Sequence, residues 1–585
     1  MVPHPKGTRA RILLSSVFKP FAEDDEFGSR AINPVELYHN QVTREQGPFS
    51  LRMFHRTWSL MFLQQNISAP STVLDFPTRE RFVQELTSHD YDVVGLTSII
   101  VNVGKVREMC RLVRRHSPRS VIVVGGHVTA IPGIDRMIDA DHIVKGEGVA
   151  WLREFLGEDV GRRIEHPMIR SSFGFRLMGL RTPSGGGNAS ATIIPSVGCP
   201  MGCNFCTTSE FFGGKGKFVN FFERGEDLFR VMCETERRLG ARAFFMMDEN
   251  FLLYRKRALE LLDLMKAHGK AWSLYVFSSA NAIRKYDVRQ LVEMGVEWIW
   301  LGLESGAAGY KKLEGTDTLA LARELQSHGI RVHGSTIIGL EHHTPENIDG
   351  EIAHAIAHET VFHQFMLYTP VPGTPLYREV AAQDRLLDDV NLADIHGQYK
   401  FNFRHAAISR DDSKTFLDRA FRRDFEANGP SLYRLLRSMM VGWRRYRDDP
   451  DARVRARVGA EARQLASGHG GALWAMERYL RESNRTMSDR IRELRLQVER
   501  EIGGASRLID PIVGRVLLWS ARRDARRDPG GRRLEPRTWV DRRHWQPARE
   551  AARARPPPST RRRSSTRPAG RPRRARPHRT PTARR

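Results

Sequence analysis

The sequence predicts an α/β protein: an N-terminal doubly wound parallel sheet of Rossmann-like type, then a partial barrel of six βα units, then a helical C-terminal region. Three observations predict it. Continuous apolar runs alternate with helical stretches between about residues 8 and 160, as parallel strands buried on both faces require. Strand–helix units recur six times between about 190 and 380. From 381 to 520 apolar residues recur at helical spacing. Residues 161–189 read as a linker, rich in Gly and Ser from Pro183 to Ala189, and 521–585 as an Arg- and Pro-rich tail.

In the first domain, strands are expected at 11–18, 72–75, 92–99, 120–124 and 141–144, with helices over 78–88 and 103–116. Ligands of such sheets bind at the carboxyl ends of the strands. Those ends carry Thr97-Ser98, Gly125-Gly126-His127 and Gly146-Glu147-Gly148. Glycine there lets a backbone approach a ligand closely, although it also serves plain tight turns. No GxGxxG follows the first strand, which argues against a dinucleotide. A long insertion between Lys19 and Ser71 includes Asn33 to Leu37 and an amphipathic stretch from Phe54 to Gln65, placed to cap a cofactor or substrate.

The second domain opens with a strand at 191–195 that leads into Cys199-Pro200-Met201-Gly202-Cys203-Asn204-Phe205-Cys206. Three of five cysteines fall in eight residues, spaced CxxxCxxC. Three thiolates so spaced can hold three irons of a four-iron four-sulfur (4Fe-4S) cubane and leave the fourth iron open. Zinc would want a second cysteine pair or a histidine at finger spacing, and neither follows. A disulfide would want an oxidising compartment. Pro200 and Gly202 make the segment a loop rather than a core helix. Cys110 and Cys233 sit in helical stretches and read as core residues.

Further strands are expected at 243–247, 272–277, 298–301, 332–338 and 365–368, alternating with helices. Working residues of such barrels gather at the carboxyl ends of the strands. Asp248-Glu249-Asn250, Ser278-Ser279 with Asn281, Glu304-Ser305, Gly334-Ser335 with Gly339, and Pro372-Gly373-Thr374-Pro375 fall there in turn. A single acid at a strand end is usually a turn or cap, but successive ones facing one mouth are harder to dismiss. Lys215 and Lys217 read as ordinary loop lysines. In the third region Ser409-Arg-Asp-Asp412 resembles a capping box, Phe416, Ala420, Phe421 and Phe425 recur at helical spacing, and Gly429-Pro430 ends that helix.

The 585 residues carry 40% hydrophobic residues and a net charge of +25. From Ala521 onward 23 Arg stand against 5 Asp or Glu, a net of +18, which leaves +7 for the first 520 residues. That tail is expected to be disordered. Lys414 is the last lysine, so its basicity resembles compositional bias more than a phosphate-binding surface. No run of 18 apolar residues and no signal-like N-terminus is seen, so no membrane span and a cytoplasmic location are expected.

The cysteine loop, with Phe205 just before its last cysteine, resembles the signature of the radical S-adenosylmethionine (SAM) superfamily. The resemblance implies a 4Fe-4S cluster held by Cys199, Cys203 and Cys206, with SAM on the open iron. It implies SAM contacts from Asp248 and Glu249 (amino group), Ser279 and Glu304 (ribose or amino-acid part) and Gly339 (adenine). Gly339 lies in a GxIxGxxG-like strand whose last glycine is replaced by Glu341. The preceding sheet, with its GGH and GEG ends, resembles the cobalamin-binding domain of cobalamin-dependent radical SAM enzymes. Thr97, Ser98, Gly125, Gly126, His127, Gly146, Glu147 and Gly148 would then line cobalamin. No DxHxxG motif is present, so cobalt should lack a protein histidine below it, and His142 reads as a structural strand-edge residue. In related enzymes the C-terminal region covers the barrel mouth, with His396, Tyr399 and His405 as candidates here.

The resemblance covers residues 8 to 380 and implies a cobalamin-dependent radical SAM enzyme. It would act on a small-molecule, lipid or natural-product substrate and draw electrons from a flavodoxin or ferredoxin. Methyl transfer to an unactivated carbon is the first expectation, and a cyclase or rearrangement without methyl transfer the second. A cobalamin-sensing nucleic-acid-binding protein is a remote third that leaves the cysteines and the polar mouth unexplained. A tRNA methylthiotransferase would want further N-terminal cysteines, and Cys110 stands alone there.

Overall fold

The computed structural model describes residues 2–21, 26–27, 35–171, 174–183, 190–306, 309–503, 506–527 and 534–544. The Gly/Ser-rich linker after Pro183, Asn33-Pro34 of the insertion and the tail beyond 544 lie outside the described residues.

Strands β1 (Ile12–Ser16), β2 (Ser71–Asp75), β3 (Val93–Thr97), β4 (Val121–Gly125) and β5 (His142–Ile143) form a parallel sheet in the order β2-β1-β3-β4-β5. All residues of β1 and β2 are buried, because both sheet faces are covered. Leu13, Leu74, Val94 and Ile122 pack beneath the Val103–His116 helix, while Ile12, Leu14, Val73 and Val93 face Leu60 and Leu152. The chain steps from β1 out to β2 and then back across to β3. The order therefore reverses between β1 and β3, and a crevice opens outside their carboxyl ends, beside Thr97 and Ser98.

Strands β6 (Ser190–Ile193), β7 (Ala243–Met246), β8 (Ser273–Ser278), β9 (Val296–Glu304), β10 (Arg331–Ile338) and β11 (Phe362–Leu367) pair in parallel and in sequence order, an open six-stranded barrel wall. A layer of aromatic rings lines it. Trp300 stacks on His333 at 3.8 Å and on Phe277 at 4.8 Å, and Trp298 stacks on Phe362 at 5.1 Å. The insertion meets this layer. Tyr38 packs on Phe362 at 5.6 Å, His55 on Phe245 at 6.2 Å, and Gln364 Nε2 donates to Gln41 Oε1 at 2.6 Å. Part of the segment expected to act as a cap thus plugs the barrel interior instead.

The helical region differs from expectation in its placement. Helices Ser431–Tyr446 and Ala452–Gln464 sit at the amino ends of the barrel strands. A Cβ on Gly329, just before β10, would meet Gly442 at 2.6 Å, Arg331 pairs with Glu461, and Arg457 donates to the Val292 carbonyl. The irregular stretch 383–409 reaches a carboxyl end, where Phe401 covers Gly339. The Ser409 cap is present, its hydroxyl accepting from Asp412 N at 3.0 Å, and the helix it starts, Arg410–Asn428, ends at Gly429.

The tail also departs from expectation. A helix spans Ser506–Arg527, and β12 (Trp539–Arg543) pairs antiparallel with β2, Val540 opposite Leu74. Disorder was expected because aliphatic residues are scarce there. The unpaired edge of β2, however, needs backbone partners more than side chains. Trp539 stacks under the Arg56 guanidinium at 4.2 Å, and Arg542 pairs with the buried Glu85 at 2.6 Å.

Candidate functional site

After β6, a two-residue ladder between Ser196–Val197 and Val219–Asn220 turns the chain into the cysteine loop. Gly198 and Gly202 have φ of +86° and +67°, and a Cβ on either would strike Phe212 Cβ at 2.7 Å or Lys215 Cβ at 2.5 Å. These contacts require glycine. Cys206 ends the loop as the N-cap of the Thr207–Phe211 helix, its sulfur accepting from Ser209 N at 3.5 Å, while Ser209 Oγ donates to the Cys199 carbonyl at 2.6 Å. Leu376 N donates to the Asn204 carbonyl at 3.0 Å, so the PGTP segment braces the same loop.

The three thiols share one electrostatic environment. Burial pushes Cys199 up to about 11, and the neighbouring Cys206 and Cys203 add to the rise. Burial likewise raises Cys203 and Cys206, against the pull of the Lys312 ammonium. Without a metal such thiols stay protonated, so a strongly charged cluster must displace the protons. Cys110 is fully buried in the N-terminal core and Cys233 lies on the outer Gly225–Leu239 helix, so no fourth cysteine joins the group. The donor set fits a three-thiolate cluster with an open iron.

The adjacent acids divide. Asp248 is fully buried, paired with Arg257, and accepts from Ser196 Oγ at 2.7 Å and Asn250 N at 3.0 Å. Oδ2 takes two of these bonds and Oδ1 one, so its neighbours hold Asp248 in place. Glu249 has its Oε2 buried with no partner. Burial, reinforced by Asp248, lifts its carboxyl to about 8. The unpaired oxygen beside Cys199 fits a cationic amino group.

Ser279 N donates to Asn250 Oδ1 and Asn250 Nδ2 to Ser279 Oγ, both at 3.0 Å, and Ser279 Oγ donates to Asn281 Oδ1 at 2.7 Å. Ser279 is thus held inside a polar network at the end of β8. Glu304, at φ +59°, is paired with the half-buried Lys312. Burial alone would lower Lys312, but the charges of Glu304 and Cys203 hold it above the usual lysine range. Lys312 also lies 5.3 Å over the Phe205 ring, which meets Tyr310 edge-on at 5.2 Å. Lys215 and Lys217 are exposed, as loop lysines should be. Lys312, Tyr310 and Tyr254, whose buried hydroxyl has no partner, carried no sequence signal.

Gly339 is engaged by protein: its N–H donates to His343 Nδ1 at 2.9 Å, and a Cβ would lie 2.2 Å from Phe401 Cζ. Neither its amide nor its Cα face is open to an adenine. His342, His343 and Glu351 lie together around Ser305. They do not fit a metal. His343 Nδ1 already accepts the Gly339 and Leu340 amides, which places its proton on Nε2. Of the C-terminal candidates, His405 Nε2 bonds the Leu340 carbonyl at 3.1 Å, His396 is half-buried and held neutral, desolvation pushing its pKa down to about 3, and Tyr399 lies beside Lys400.

At the N-terminal sheet, Gly126 has φ +82°, and a Cβ would strike the Ser98 carbonyl and Thr97 Oγ1 at 2.6 Å. Ser98 Oγ and His127 Nε2 are buried without partners. Burial pushes His127 down to about 4, so its ring is neutral. Gly125 ends β4, and Gly146 has φ +89°. The Glu147 carboxylate accepts from Val149 N and Ala150 N as the N-cap of the Gly148–Phe155 helix. His142 packs edge-on against Trp151 and Phe155, a structural role. The orphaned polar atoms beside a glycine-lined crevice fit a large polar cofactor such as cobalamin.

The two sheets meet at their carboxyl ends. The His127 ring stacks on Phe211 at 4.5 Å, a Cβ on Gly146 would lie 3.8 Å from the Phe211 carbonyl, and one on Gly373 would strike the Ala130 carbonyl at 2.7 Å.

Known proteins match both halves. The B12 binding domain family matches residues 61–156 and the radical SAM superfamily residues 193–354. A bacteriochlorophyllide d C-12(1)-methyltransferase of Chlorobaculum tepidum is 27% identical over 339 residues, covering 54% of this chain and 71% of the relative. An uncharacterised methyltransferase of Pyrococcus horikoshii is 24% identical over 338 residues, covering 51% and 71%. A hopanoid C-2 methylase of Rhodopseudomonas palustris is 23% identical over 355 residues, covering 57% and 63%. The chain carries a B12-binding domain followed by a radical SAM domain, and the two imply cobalamin, SAM and a 4Fe-4S cluster as cofactors.

Proposed function

We propose that the chain methylates an unactivated carbon of a small-molecule or lipid substrate. The observation that carries this reading is the junction of the two sheets. His127, in the 3-10 turn that follows β4, stacks on Phe211 of the helix that follows the cysteine loop, so the two cofactor floors face one space. The methyltransferase names of the relatives support the reaction type.

A cluster held by Cys199, Cys203 and Cys206 would supply one-electron reduction of SAM, and cobalamin held beside Thr97, Ser98 and Gly126 would supply a methyl carrier. The chain's own residues hold and shield. Cys199, Cys203 and Cys206 are the proposed cluster ligands. Glu249 offers its unpaired Oε2 to the SAM amino group and gives up its proton as that cation arrives. Ser279 and Asn250 fix the next strand end. Lys312, held cationic by Glu304, balances charge beside Cys203. Thr97, Ser98 and Gly126 line the cobalamin side. The aromatic layer of Phe277, Trp298 and Trp300 excludes water below the reacting space. Electrons would come from a flavodoxin or ferredoxin in a reducing cytoplasm, in keeping with five free cysteines.

The test is anaerobic reconstitution with iron, sulfide and hydroxocobalamin, then SAM and a strong reductant. Methyl transfer releases S-adenosylhomocysteine together with 5′-deoxyadenosine. Release of 5′-deoxyadenosine alone in the presence of a consumed substrate would replace this reading with ring closure or rearrangement.

A further inference from the structure

The Ser506–Arg527 helix leaves one side uncovered. Leu508, Ile509, Ile512, Val516 and Trp519 are 81, 54, 62, 55 and 60% exposed. At 100° per residue these five fall on a single stripe about 100° wide. They are five of the eleven large hydrophobic residues exposed among the described residues, so the pattern is a patch rather than scatter. The stripe continues into Arg522, Arg523, Arg526 and Arg527, all exposed. Asp524, the acid of that turn, points elsewhere and is paired with Arg176.

The opposite side is anchored closely. A Cβ on Gly514 would strike the Trp474 ring at 2.6 Å, one on Gly471 would strike Val513 at 2.7 Å, and one on Gly179 would strike Ser520 at 2.6 Å. The helix is therefore clamped to its neighbours, and the exposed stripe is presented in a fixed direction.

We propose that this stripe docks on the surface of an anionic lipid bilayer. Its chemistry matches that surface along its length. Ile512 and Val516 enter the acyl boundary, Trp519 sits at headgroup level, and the arginines meet lipid phosphates. A second copy of the chain fits poorly, since either helix direction sets arginines against apolar side chains or against other arginines. The chain's own residues 546–585 fit poorly too, because they are rich in Arg and contain Glu550 as their one acid. No described helix is long and apolar enough to cross a membrane, so the mode is lying on the surface.

The full-length protein is floated with vesicles of equal phosphatidylglycerol and phosphatidylcholine, and separately with phosphatidylcholine alone. Binding to the anionic vesicles is expected, weakening as salt rises. The pair Ile512→Asp/Val516→Asp should abolish flotation with an unchanged melting temperature, since both residues are exposed. Arg522→Glu and Arg526→Glu should each weaken it by about fivefold or more. Failure of the wild-type protein to float overturns the proposal. So does flotation that survives Ile512→Asp/Val516→Asp, which would assign binding to the Arg-rich tail. A wild-type dimer that these substitutions turn into a monomer, without vesicle binding, would give the stripe to a second copy.

Discussion

The imidazole of His127 lies almost flat on the ring of Phe211, 4.5 Å between centroids and 25° between planes. One residue opens the 3-10 turn that follows β4 of the N-terminal sheet, and the other closes the helix that Cys206 caps. His127→Phe keeps the stack but removes Nε2, which is buried without a partner. We expect cobalamin to bind that variant about tenfold more weakly, by titration of the cofactor's visible spectrum, with little change in melting temperature. Unchanged affinity would show that the nitrogen faces no cofactor.

Cys203→Ala should lower the iron and sulfide content of the reconstituted protein and reduce 5′-deoxyadenosine to background. Cobalamin binding should persist, because Cys203 lies across the junction from the glycine-lined crevice. Loss of both cofactors together would point to collapse of the loop.

Glu249 and Asp248 are neighbours with opposite expected phenotypes. Asp248→Ala leaves the Arg257 guanidinium buried without its carboxylate, at a cost of about 3–5 kcal/mol, seen as a large drop in melting temperature. Glu249→Gln should leave the fold intact and weaken SAM binding by roughly tenfold to a hundredfold, read by calorimetry.

The pH dependence follows from the same carboxyl. Glu249 keeps its proton up to about 8 in the fold, against the usual 4.5 once unfolded. Between those values the folded state binds the extra proton, so this group makes stability fall as pH rises from about 4.5 toward 8. Glu249→Gln should flatten that part of the melting-temperature profile. SAM binding by the wild type should also release a proton below pH 8, measurable as a buffer-dependent heat.

Gly339→Ala would place a Cβ 2.2 Å from Phe401 Cζ at a φ of +82°. About 2 kcal/mol of destabilisation is expected by urea titration. Combined with Phe401→Ala, the loss should be less than the sum of the two single changes, since the clash disappears with the ring.

Several features of the site were legible in the chain. CxxxCxxC is a local pattern, and a nine-residue loop with Gly198 and Gly202 has few ways to fold. The places of the parallel strands also followed from alternation, because buried parallel strands write themselves as continuous apolar runs. Asp248 and Glu249 could not be told apart in this way. Adjacent residues at a strand end point in different directions, and whether Arg257, nine residues on, reaches one of them is settled by how its helix packs. Lys312 was invisible for the same reason: it enters the site from a loop after β9 that is far from the cysteines in sequence.

The amino-acid order by itself determined the two parallel sheets, the thiol triplet and the glycines that turn beside it, because each depends on spacing within a few residues. The tertiary structure alone decided which acid keeps a free oxygen, which lysine stands by the sulfurs, and that Trp539–Arg543 closes the edge of β2. Those outcomes depend on long-range burial. A charge or an unpaired backbone group buried in the fold must find a partner, and which partner is near is set by packing rather than by sequence neighbourhood.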